Sequence, residues 1–185
     1  SMAMELITME YWDVFYTNRT EFIRAKLRLF EWIIKGFPWI VAIDSLQHWI
    51  YLQKVINTDK LISQWNKISD ELEPYIDYSN YENYRSFLWQ KQMHIFGYPF
   101  YYIEYAIAQI GAFNLWINYK RDKTETINKF IEGFSLGGRK TLPELYKSIG
   151  ITFDFSENNL NNFAKNIQIE IECLTQELNK LENKN

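Results

Sequence analysis

Cysteine, histidine, proline and glycine are all scarce in this sequence of 185 residues, and each scarcity removes a class of answer. The single cysteine, Cys173, cannot close an intrachain disulfide; it sits on a stretch of helical pattern, so a buried inert thiol and a reducing, cytoplasmic setting are expected. Two histidines, His48 and His94, lie 46 residues apart with no His-x-x-x-His or Cys-x-x-Cys pair, so no zinc site can be completed from local pairs and no metal ligand is assigned. Only 4 Pro and 7 Gly leave little room for linkers or disorder, and no repeat or low-complexity tract appears, so residues 1–185 read as one domain. The N-terminus has neither the basic patch nor the unbroken apolar run of an export signal.

An excess of positive charge is also missing. A net charge of -3 and a pI near 5.5 give no footprint for nucleic acid, which is excluded as a partner. Gly97 to Tyr119 carries one formal charge, Glu104, and is long enough to span a bilayer. Glu104, Gln109, Asn114 and Asn118 interrupt it, however, and the mean hydropathy is -0.34, so a central helix of a bundle is expected and no membrane partner. A chain of this length can bury around 70% of its unfolded surface, enough for a sizeable core.

What is abundant is aromatic surface and helical periodicity. The sequence holds 7 Trp, 13 Tyr and 13 Phe, and no stretch alternates with period two, so the chain is expected to be all-α. Helices are predicted over Met4 to Tyr16, Glu21 to Lys35, Trp39 to Val55 after a break at Gly36 and Pro38, and from a cap at Asn57 or Thr58 through Leu72. Glu73 to Asn83 reads as a loop and Arg85 to Met93 as helix. Gly97 and Pro99 then break the chain before a helix from about Phe100 to Tyr119. Asp122 with Glu125 and Thr141 with Glu144 have capping-box spacing, and Gly137-Gly138 and Gly150 are expected helix stops. From Ser156 or Glu157 a last helix carries Leu160, Phe163, Ile167, Ile171, Leu174, Leu178 and Leu181 at steps of 3 and 4, a narrow seam suited to a groove or a partner helix; Asn183 to Asn185 should fray.

Little of this suggests chemistry. Asp44, Ser45 and His48 share one apolar helix, where Asp44 and His48 are expected as a buried hydrogen-bonded pair rather than parts of a triad. Ser135 to Thr141 echoes a phosphate loop, but its first glycine is misplaced and no strand precedes it, so a helix stop followed by a cap explains it. The exception is His94-Ile-Phe-Gly-Tyr-Pro-Phe-Tyr-Tyr-Ile-Glu-Tyr. Tyr98, Tyr101, Tyr102 and Tyr105 fall within eight residues, and Tyr98, Tyr102 and Tyr105 would share one helix face if Tyr98 joined the first turn. Such stripes are usually core. A histidine set apart by a Gly-x-Pro break, beside a row of phenol donors, could instead hold a carbonyl that becomes an oxyanion.

That segment closely resembles the C-terminal part of oligoendopeptidase F, in the thimet oligopeptidase family of zinc peptidases. Asp44-Ser45-Leu46-Gln47-His48-Trp49-Ile50-Tyr51, the Gly137-Gly138 turn and Glu144-Leu145-Tyr146 to Gly150 are similar to further landmarks in the same order, and Ser1 to Leu6 is similar to the stretch just after the family's glutamate ligand. The resemblance covers nearly the whole chain. It implies a mostly helical peptidase in which zinc activates a water and the glutamate of H-E-x-x-H acts as base, while tyrosine and histidine bind the scissile carbonyl. Residue by residue it implies Tyr105 as the oxyanion-stabilising tyrosine, His94 as the substrate-contacting histidine and Tyr98 or Tyr102 as the second tyrosine. Gly97 and Tyr101, in and beside the Gly-Tyr-Pro turn, are implied substrate contacts.

No H-E-x-x-H occurs in the sequence. The resemblance therefore implies the C-terminal fragment of a zinc oligopeptidase catalytic domain, with short peptides as substrates and zinc as the cofactor of the full-length enzyme. This chain alone is expected neither to bind that zinc nor to cut peptides. Apolar surface that would face the missing N-terminal half should favour self-association. The alternative is a non-catalytic helical interaction module that keeps the fold.

Overall fold

A computed structural model of the chain describes residues 1–183. Among them are nine α-helices and no strand, in agreement with the all-α expectation: α1 (Met2–Thr8), α2 (Arg19–Leu52), α3 (Thr58–Leu72), α4 (Glu82–Arg85), α5 (His94–Gly97), α6 (Ile103–Arg121), α7 (Lys123–Ser135), α8 (Leu142–Ser148) and α9 (Glu157–Glu182). Short 3-10 turns follow α1, α4 and α7. The fraying expected at Lys184 and Asn185 lies outside the described residues. The chain divides into two compact units, one made of Ser1–Trp32 with Ile107–Asn185 and the other of Ile33–Ala106.

In the first unit the α9 seam does what its spacing predicts. Ile171, Leu174, Leu178 and Leu181 pack against buried Phe22, Ile23 and Leu27 of α2, while Arg19–Glu177 and Arg24–Glu182 pair across the exposed edge at 2.5 and 2.9 Å. Phe163 meets Phe113 of α6 edge-on at 5.0 Å, and Ile167 is fully enclosed. Leu160 departs from the seam and stays exposed. Closing caps are where the sequence places them: Asp122 accepts the Glu125 N–H at 2.9 Å, and the Glu144 carboxylate accepts both the N–H and the hydroxyl of Thr141. Gly137 and Gly150 stop their helices at φ +55° and +79°, a region a side chain makes costly. At Gly111 the need is space, since an added Cβ would stand 2.6 Å from the Tyr146 hydroxyl, which donates to the Ile107 carbonyl.

Several boundaries differ from expectation. The first predicted helix tightens after Thr8 into a 3-10 turn over Met9–Val14. The predicted break at Gly36 and Pro38 does not occur, and α2 runs 34 residues through Pro38. Proline in a helix interior costs about 3 kcal/mol. Beyond it, Ile43 and Leu46 are fully buried, each worth about 1.5–3 kcal/mol, so the packing outweighs the lost hydrogen bond. Cys173 is exposed rather than buried, because it falls beside the α9 seam and not on it.

The second unit is built on Ala42, Ile43, Leu46, Trp65, Ile68 and Trp89, with Trp39, Ile95 and Tyr102 packed around them. Trp65 donates its indole N–H to the Arg85 carbonyl at 2.8 Å, tying α3 to the segment after α4. The predicted helix over Arg85 to Met93 is replaced by α4, a 3-10 turn over Leu88–Lys91 and the single turn of α5. The indole donor of Trp65 and the Trp89 side chain take the place of a regular ladder there, holding this segment by side-chain anchors.

Candidate functional site

His94 opens α5, and Tyr98 ends it in a non-helical conformation (φ -140°, ψ 75°). Tyr98, Tyr101 and Tyr102 thus precede α6, which begins at Ile103 and not near Phe100, so the shared helix face expected for Tyr98, Tyr102 and Tyr105 does not exist. The rings meet by another route. Folding the Gly97-Tyr98-Pro99 turn back around α5 brings all four phenols to the imidazole: ring centres lie 5.8 Å from His94 for Tyr98, 5.8 Å for Tyr101 in parallel stacking, 4.8 Å for Tyr102 and 5.7 Å for Tyr105 edge-on. Tyr98, Tyr101 and Tyr105 are exposed at 62%, 44% and 36%, while His94 and Tyr102 are half-buried. Gly97 lies on the exposed turn itself, with open space where a Cβ would stand.

Two buried or half-buried amides hold this arrangement. Gln47, with no exposed surface, donates from Nε2 to the His94 carbonyl at 3.3 Å and accepts the Phe100 N–H on Oε1 at 3.3 Å, clasping both sides of the turn. Phe100 needs the clasp, since its φ of +58° is unfavourable for a bulky residue. Its ring is held between His48 at 4.8 Å and Tyr51 at 5.0 Å. Gln92 accepts the Trp39 indole N–H on Oε1 at 3.1 Å and meets His94 Nδ1 through Nε2 at 2.6 Å. Burial pushes the Tyr102 phenol up from its ordinary range, with the Trp39 indole acting the other way.

Composition drew attention to the tyrosines and histidine, but Gln47, Gln92, Trp39 and Phe100 were not singled out for a role. Gln47 and Phe100 stand in the motifs quoted above, and the signal at Gln47 is an amide at the centre of an apolar helix face. Asp44 and His48 pair weakly at 3.5 Å, but not as the buried pair expected: the His48 side chain is 63% exposed, and Asp44 Oδ1 is buried without a partner among the described residues. Burial raises the Asp44 carboxyl above its usual range, opposed by His48.

The arrangement offers several hydroxyl donors and one imidazole on an exposed surface, suited to hydrogen-bonding a carbonyl. It does not suit a metal: among the described residues no group of three His, Cys, Asp or Glu is placed to hold one, and His94 Nδ1 and His48 Nε2 already face Gln92 and Asp44. No helix of the described residues is long and apolar enough to cross a membrane.

The model of peptidase family M3 matches residues 1–165. A crystal structure assigned to oligoendopeptidase F is 26% identical with a TM-score of 0.85, over 93% of this chain and 30% of that one. A structure of PZ peptidase A with an inhibitor gives the same identity and TM-score over 94% of this chain and 31% of that one. The chain therefore spans about a third of the length of these solved relatives. No curated protein matches it.

Proposed function

Because the chain belongs to peptidase family M3, we propose that it is the C-terminal, substrate-holding part of a zinc-dependent oligoendopeptidase acting on short peptides. The observation that carries this reading is the convergence of four phenols on His94, three of them exposed, on a turn held from beneath by a buried amide. A core cluster would have no use for that exposure. Tyr105 donates a hydrogen bond from its hydroxyl to the scissile carbonyl oxygen and holds it more tightly as charge develops there. His94 contacts the same peptide unit, Tyr98 or Tyr102 provides the second phenol donor, and Gly97 with Tyr101 borders the peptide backbone.

Among the described residues no group fits zinc, and no step is assigned through it. By itself the chain is inactive, and the zinc-binding half of a longer enzyme is its natural partner. Exposed Val14 and Phe15 are surface that this half, or failing it a second copy, would cover. We place the chain in the cytoplasm and read residues 1–185 as one domain.

The test is Tyr105→Phe in an enzyme of full family length containing this chain. The expected result is a fall in kcat of about 10²-fold or more with little change in KM, as for removal of one oxyanion donor. Unimpaired turnover would take Tyr105 out of this role.

A further inference from the structure

We infer that Trp39 and Gln92 form a positioning relay that holds neutral His94 in the tautomer with its proton on Nε2, so that the imidazole offers a substrate carbonyl a donor rather than a lone pair. The relay is read from donor and acceptor chemistry alone. An indole N–H can only donate, so the Gln92 atom 3.1 Å from Trp39 Nε1 is the amide oxygen. The other end of the amide, its NH2 group, therefore faces His94 Nδ1 at 2.6 Å. That group can only donate to a ring nitrogen, so Nδ1 carries the lone pair and Nε2 the proton. Turning the amide over would set NH2 against the indole N–H, a mismatch that no change of imidazole tautomer relieves.

Each member is fixed by its surroundings. Trp39 packs edge-on to Trp65 at 5.5 Å and carries the Lys91 ammonium over its ring at 3.9 Å, so the indole is clamped on two sides. Gln92 leaves the 3-10 turn in an extended conformation (φ -92°, ψ 96°), which lets its side chain run forward to the residue two places on. His94 is anchored through its carbonyl, which accepts from both Gln47 and the Tyr98 N–H. Among the described residues nothing takes the Nε2 proton. The four phenol rings stand around that imidazole, their centres 4.8–5.8 Å away.

The tautomer follows from the geometry; its use, delivery of a hydrogen bond to a peptide carbonyl, rests on the function proposed above. Trp39 and Gln92 act without touching substrate. Their effect passes through the ring.

Long-range proton–nitrogen correlation spectra of the 185-residue chain, taken where both imidazoles are neutral and assigned with His48→Gln, read the two His94 nitrogens directly. The expected spectrum has a pyridine-type Nδ1 and a pyrrole-type Nε2. In Gln92→Glu the carboxylate only accepts, so Nδ1 must take a proton and its resonance moves to the pyrrole range, whether the ring is neutral or charged. Trp39→Phe frees the amide to turn, and both nitrogens move toward averaged positions. A pyrrole-type Nδ1 in the unaltered chain would overturn the relay without any variant having to fold, as would an unmoved Nδ1 in Gln92→Glu. These shifts stand apart from turnover: if Tyr105→Phe left the long enzyme unimpaired while Nδ1 stayed pyridine-type, the relay would hold and the oxyanion role of Tyr105 would fall.

Discussion

Two aromatic clusters in this molecule have nearly the same ring spacing and opposite surroundings. Around α6 and α9, Phe113 meets Trp116 at 5.4 Å and Phe163 at 5.0 Å, and Phe113 is fully buried. Around α5, four phenols stand 4.8–5.8 Å from His94, and most of them face water. Ring distance alone therefore does not distinguish a core from a site. The difference lies underneath. The first cluster is carried on the regular helices α6 and α9; the second rests on the amides of Gln47 and Gln92 and on one residue held at an unfavourable φ. Under the function proposed above, exposed rings fixed by buried hydrogen bonds form a surface for contact with a peptide.

The comparison is broken most directly by truncating one ring on each side. Phe113→Ala is expected to destabilise the chain by about 3–5 kcal/mol, measured by urea or thermal unfolding, because the ring leaves a cavity among Trp116, Phe163 and their neighbours. Tyr98→Ala should cost less than about 1 kcal/mol, since the ring is mostly in water already. Equal losses would mean that the His94 group is a second core and not a contact surface.

A finer cut separates the rings from their support. Gln47→Ala removes the acceptor of the Phe100 N–H and a donor to the His94 carbonyl, leaving groups on the turn short of partners at a cost of about 1–3 kcal/mol. Hydrogen exchange at the Phe100 amide should accelerate while that of α9 does not. Acceleration spread evenly over both would remove the clasp from its local role.

How much of this was legible in the sequence varies with the kind of interaction. The caps at Asp122 and Thr141, the stops at Gly137 and Gly150 and the α9 seam were all readable, because each depends on residues within a few positions of one another. The passage of α2 through Pro38 was not, since a local rule there yields to burial of Ile43 and Leu46 in a core assembled from distant residues. At the site, the residue types in His94 to Tyr105 were apparent and their geometry was not. A helix face was expected where a turn around α5 brings the rings together. Gln47 and Gln92 were invisible as supports for a related reason: hydrogen bonds from position 47 to 94 and 100, and from 39 to 92, leave no periodic trace.

The smallest expected effect tests whether polar burial in this unit is always support. Asp44 is the counterexample to Gln47 on the same helix: both are shielded, but Gln47 satisfies both ends of its amide, whereas Asp44 Oδ1 is buried with no partner among the described residues and His48 offers Oδ2 only a 3.5 Å contact. Burial raises the Asp44 pKa in the folded chain above its unfolded value of 3.8, so the folded state binds the proton more tightly. Below 3.8 the carboxyl is protonated in both states and carries no penalty; as pH rises through the unfolded and then the folded value, the penalty grows to its full size and stays there. Asp44→Asn removes the charge and keeps the shape. It should therefore stabilise the chain at pH 7 by up to about 1 kcal/mol, with the gain shrinking toward zero as the pH is lowered below the unfolded value. A gain that was constant with pH would point to packing rather than to the buried charge. A loss at pH 7 would mean that the His48 contact outweighs burial, and that Asp44, like Gln47, supports the ring surface.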